Sequence, residues 1–140
     1  MTAKEYLGQL LRYEKMINNK LSELYQLKAM ASSISVAIDS ERVQTSVRND
    51  KIPNSIVRIE QKQAEINSIV ADYVNAKDNI IRDIEKLTDS TQYDVLFKRY
   101  VEHKTFEVIA TDLNYSWRQI IRIHGEALRE FEKIINNQMS

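Results

Sequence analysis

Apolar residues recur at steps of three and four along most of this chain, the mark of amphipathic helices. Between residues 2 and 31, Tyr6, Leu7, Leu10, Leu11, Ile17, Leu21, Leu24 and Leu27 keep that rhythm, so the spacing predicts one long helix. Residues 54–88 are more regular. Ile56, Ile59, Gln63, Ile66, Val70, Tyr73, Lys77, Ile80, Ile84 and Leu87 alternate three- and four-residue steps without a slip. This is a heptad seam, and its polar members Gln63 and Lys77 give up stability to fix register. Neither helix buries its stripe alone, so the two are expected to pair with each other or with another subunit, as an antiparallel hairpin or coiled coil. The polar, Ser-rich stretch 32–53 reads as a long connection, with Pro53 suited to the first turn of the second helix.

Shorter elements follow Thr88-Asp89-Ser90. Thr91, with Asp94 as the reciprocal acid, is expected to cap a helix over about 92–103 that buries Val95, Leu96, Tyr100 and Phe97. Thr105 caps a helix over Phe106–Leu113. After Asn114-Tyr115-Ser116 a last helix runs from Trp117 to about Ile135, opened by a capping box of Ser116 and Gln119. The stretch 106–125 carries the pattern of a helix-turn-helix. Ile109, Leu113, Tyr115, Ile120 and Ile123 supply the inner faces, Ala110 is the small residue at the crossing, and Asn114 tolerates the left-handed turn. The expected fold is all-α, with a helical hairpin over residues 1–90 and a helix-turn-helix module over 91–140.

Composition narrows the reading. Only two Gly and one Pro among 140 residues argue against an all-β chain of tight turns. No Cys is present, so there is neither a disulfide nor a thiolate metal site, which suits a cytoplasmic protein. No apolar run is long enough for a membrane span, and Met1-Thr2-Ala3-Lys4-Glu5 leads into no apolar signal-peptide stretch. Twenty Lys and Arg balance twenty Asp and Glu, so any attraction for nucleic acid must come from a local patch. Ser116–Gly125 offers one, with two Arg, one His and no acid. Side chains near the start of such a helix reach base edges: Arg118 and Arg122 suit guanine, Gln119 suits adenine, and Trp117 suits a thymine methyl or a sugar. Ser116 opens the helix, and Lys98, Arg99 and Lys104 are candidates for phosphate.

Nothing in the sequence points to catalysis, a cofactor or a metal. His103 and His124 are the only imidazoles, and no carboxylate spacing around them makes a metal motif. Gly8 and Gly125 are too few for a phosphate-binding loop and are expected to permit close helix contact. Tyr6, Tyr73, Tyr100 and Tyr115 fall on apolar stripes, as core residues do. The chain is therefore read as not an enzyme.

The residues Leu96-Phe97-Lys98-Arg99-Tyr100, Thr105-Phe106-Glu107-Val108-Ile109-Ala110, Leu113-Asn114-Tyr115-Ser116 and Ile123-His124-Gly125-Glu126-Ala127-Leu128 resemble sigma-factor region 4. More closely, they look like the sigma-like phage regulators of the RinA and ArpU type. Ala3-Lys4-Glu5-Tyr6-Leu7, Ile17-Asn18-Asn19-Lys20 and Arg42-Val43-Gln44-Thr45-Ser46 with Asp50-Lys51 are similar to an uncharacterised phage family of Gram-positive hosts that shares this C-terminal unit. The resemblance implies a phage or prophage activator of late genes, with promoter DNA and host RNA polymerase as partners. It also favours Trp117, Arg118 and Arg122 as promoter-reading residues. Trp117 and Ile121 depart from the polar or basic residues usual at their places. A homodimer is the favoured assembly. Two other assignments fit the same residues: a small terminase subunit binding packaging-site DNA as a ring, and a protein-interaction module that keeps the fold without DNA. Oligomer mass separates the first of these from a dimeric regulator.

Overall fold

A computed structural model describes residues 1–40 and 51–139, and every regular element among them is helical. The helices are α1 (Ala3–Ser40), α2 (Lys51–Ile84), α3 (Ser90–Leu96), α4 (Phe106–Leu113) and α5 (Trp117–Met139), with a π-helical turn at Phe97–Val101 after α3. No helix among the described residues is long and apolar enough to cross a membrane.

Several boundaries differ from the sequence reading. The two long helices run on through residues 32–40 and 51–53, which polar composition assigns to the connection. Residues 41–50 of that connection lie outside the described residues. Pro53 falls in the first turn of α2, where a missing N–H costs no helical hydrogen bond. At its other end α2 stops at Ile84 rather than 88. Tight turns follow, from Lys86 N–H to Asp83 C=O (3.1 Å) and Leu87 N–H to Ile84 C=O (3.0 Å), and they still leave Leu87 buried. The cap of α3 is Asp89 rather than Thr91: its carboxylate accepts the N–H groups of Thr91 (2.9 Å) and Gln92 (3.0 Å).

The expected helix over 92–103 leaves α-helical geometry at Phe97. Glu102 N–H reaches Phe97 C=O (3.1 Å), and Lys104 N–H reaches Lys98 C=O (3.0 Å). His103, the expected last helical residue, takes a left-handed conformation with φ 59° and turns the chain into α4.

The chain divides into two compact units, one of residues 1–13 with 73–140 and one of 14–72. The first turns of α1 and the last turns of α2 share a core with α5. In that first unit Leu7, Leu10, Ile80, Ile84, Leu96 and Phe131 are fully buried, with Tyr6, Tyr73 and Tyr100 packed around them. A second cluster joins Val95, Ile109, Ala110, Ile120 and Ile123, with Phe106 and Leu113 against it. In the unit of 14–72, α1 and α2 meet in opposite senses: Lys20 pairs with Glu65 (2.7 Å) and Glu23 with Lys62 (2.8 Å). Among its described residues the buried side chains are Leu24 and Ile66.

Candidate nucleic-acid interface

The join between α4 and α5 is fixed by local chemistry. Thr105 Oγ1 accepts Val108 N–H (3.3 Å) and opens α4. Asn114 closes it in the left-handed region (φ 60°, ψ 41°), where Asn is one of the few non-glycine residues at ease. Tyr115 N–H then bonds Ala110 C=O (3.0 Å) and Asn114 N–H bonds Thr111 C=O (3.4 Å), a Schellman closure. Immediately afterwards Ser116 Oγ accepts Gln119 N–H (3.2 Å), and Gln119 Oε1 accepts Ser116 N–H (2.9 Å). The capping box read from the sequence is present.

Helical periodicity then sorts α5. Ile120, Ile123, Ala127, Phe131 and Ile135 are buried, while Ser116, Trp117, Arg118, Gln119 and Arg122 are exposed. Trp117 keeps half of its surface in water. Tyr115 is 38% exposed, contrary to its expected place on the inner face. Arg129, which the sequence reading passed over, lies seven residues beyond Arg122 and so on the same side as Arg118 and Arg122. None of these three arginines forms an ion pair with a described residue. The i, i+4, i+11 spacing is legible in the sequence, although Arg129 lies beyond the first turns from which base contacts are expected.

The three candidates for phosphate contact are placed differently. Arg99 is engaged inside the fold: it donates to Lys104 C=O (3.0 Å) and lies 4.2 Å over the Phe106 ring. Lys104 donates to Asp112 (2.9 Å) and lies 3.9 Å from Glu102, and Lys98 lies within 4 Å of both acids. Lys104's hydrogen bond holds the Asp112 carboxyl below the usual carboxylate range. Acids meet these two lysines, whereas Arg118, Arg122 and Arg129 form no ion pair with a described residue.

On the inward side of α5 lies its own His124, 8% exposed, sharing a 2.8 Å hydrogen bond with Tyr100 Oη and packed between the Tyr100 and Phe106 rings. Burial, reinforced by Arg99 and Lys4, lowers its pKa to about 4, so the ring is neutral at pH 7 and serves packing. Asp83 is a second buried polar group. It accepts hydrogen bonds from Tyr6 Oη, Gln138 and Lys86. Burial alone would raise the Asp83 carboxyl, but those bonds together bring it below its ordinary value, and burial with Asp83 beside it pushes the Tyr6 hydroxyl up.

The two glycines do not mark close helix contacts. A methyl at Gly8 would meet nothing within 4 Å, and one at Gly125 would meet only Arg129 Nη1 at 3.9 Å. Among the described residues no group of three or more His, Asp or Glu is placed to hold a metal ion. In comparisons with protein-family models, curated proteins and solved structures, nothing matches this chain.

Proposed function

We propose that this chain is a sequence-specific double-stranded-DNA-binding regulator of transcription, of the phage or prophage type its sequence resembles. In this reading a helical hairpin is joined to a helix-turn-helix formed by α4, the Asn114 turn and α5. The observation that carries it is the opening of α5: Trp117, Arg118 and Arg122 face water, acids are absent from Ser116 to Gly125, and Ile120 and Ile123 anchor the opposite side. A helix held in this way enters the major groove with its first turns, where Arg118 and Arg122 take guanine O6 and N7. Arg129 extends the cationic side toward the phosphate backbone. Gln119 contributes less directly, because its carbonyl already accepts the Ser116 N–H and a two-point contact with adenine would break that cap. Host RNA polymerase as a partner rests on the resemblance alone.

The experiment is selection of bound duplexes from a random library, followed by titration of the recovered site at stated salt. Trp117, the only tryptophan, reports binding by its own fluorescence. Arg118→Ala and Arg122→Ala are each expected to weaken the selected site by about 1–3 kcal/mol with circular dichroism unchanged. Failure to enrich any sequence, or full affinity in both variants, would overturn the proposal.

A further inference from the structure

Gly125 interrupts the outward side of α5 without a packing reason. Glycine inside a helix costs about 1 kcal/mol relative to alanine, and that cost is offset where a neighbouring element or a ligand needs the space. No neighbouring element needs it here: a methyl at Gly125 would meet, within 4 Å, only Arg129 Nη1 at 3.9 Å. The position is also particular. Arg118, Arg122, Gly125 and Arg129 stand at i, i+4, i+7 and i+11, one line of neighbours along the helix surface. The three arginines are exposed and form no ion pair with a described residue. Helical side chains lean toward the N-terminus, and the Arg129 guanidinium accordingly reaches back beside Gly125. The result is a shallow notch of bare helix backbone between two exposed cations.

We infer that Gly125 seats the sugar–phosphate strand at the edge of the bound major groove, with Arg129 holding the phosphate that lies over it. This rests on the DNA-binding reading above and adds to it how deep α5 sits. The distance fits. Gly125 lies eight residues beyond Trp117 in α5, about 12 Å along the axis, and the major groove is about 12 Å wide. A helix that enters by its first turns thus meets the bordering strand near residue 125. The charge fits as well. From Ser116 to Gly125 no acid repels a phosphate, and Glu126 turns off the arginine line by about 100°. A side chain at position 125 would hold the strand away from the helix and draw Arg118 and Arg122 back from the base edges. Gly8, the other glycine of the chain, stands outside this line and borders a hollow with Leu7, Leu11, Tyr100 and His103.

On the duplex recovered by selection, Gly125→Ala should weaken binding about tenfold, as a methyl forced into a packed contact does, while thermal stability holds or rises. The loss should be equal on a duplex with one base pair changed, because a strand contact carries no sequence. Gly8→Ala should leave affinity as it is. Should Gly125→Ala unsettle α5, Arg129→Ala reads the same contact: it should lower the slope of log affinity against log salt by about 1 with circular dichroism unchanged. A wild type that selects a site which Gly125→Ala binds equally well would overturn the inference and leave the DNA reading standing. So would an equal loss in Gly8→Ala, a loss that depends on one base pair, or an Arg129→Ala variant with the wild-type salt slope. Enrichment of no sequence by the wild type would overturn both.

Discussion

The two compact units are made from the same two long helices and yet are held differently. In the unit of 1–13 and 73–140, short elements converge on α1, α2 and α5, and side chains from Leu7 to Ile135 lose contact with water. In the unit of 14–72 two helices meet alone, and only Leu24 and Ile66 among its described residues are buried. The difference teaches that a good heptad pattern is not sufficient for a core. Two cylinders share one line of contact, and burying a second stripe takes a third and fourth element.

Truncation tests this contrast most severely. Phe131→Ala removes a fully buried ring that packs on Tyr6 and should cost about 3–5 kcal/mol in chemical denaturation. Leu24→Ala should cost about 2 kcal/mol, the low end for such a change, because two helices close over the gap more readily. Equal costs would break the comparison.

Acid should find the first unit before the second. His124 is held to a pKa of about 4 in the fold against 6.5 when unfolded, so between those values the unfolded chain binds more protons. Stability present above pH 6.5 is then lost as pH falls toward 4, by about 1–3 kcal/mol. Asp83, also depressed, adds a loss at lower pH. Melting curves at pH 7 and 4.5 should show the fall in the wild type and a much shallower one in His124→Phe. An identical slope would assign the acid sensitivity elsewhere.

The smallest effect sharpens the picture of how tightly the first unit is packed. Gly8→Ala places a methyl in open space and Gly125→Ala one in ordinary contact with the Arg129 side chain, both within helices, and each should raise stability by up to about 1 kcal/mol. A loss of stability on thermal melting would show close approach at these positions after all.

Much of the local structure was legible because it depends on neighbours in sequence. The Ser116–Gln119 box, the Thr105 cap and the left-handed Asn114 are short-range hydrogen-bond chemistry, and the inward side of α5 follows from its period. The substitution of Asp89 for Thr91 as a cap was within reach but ambiguous, since Asp, Ser and Thr stand together there and all can cap. The π-helical turn was not legible, because residues beyond Phe97 no longer follow the α-helical period, and with them went the placement of Arg99 and Tyr100. The candidate reading face was found through its missing acids, whereas the pairing of Lys98 and Lys104 with Asp112 depends on α4 folding back toward them.

Taken alone, then, the sequence determined that the chain is helical, where the short helices open and turn, and which side of α5 is greasy. All of these are set by bonds within a few residues or by a repeat of 3.6. Only the tertiary structure decided that the ends of the long helices belong to the core of the C-terminal elements, that His124 and Asp83 are buried, and that Ile56 and Val70 of the heptad seam stay in water. Those outcomes depend on residues far apart in the chain competing for the same apolar surface, and no local pattern records who wins.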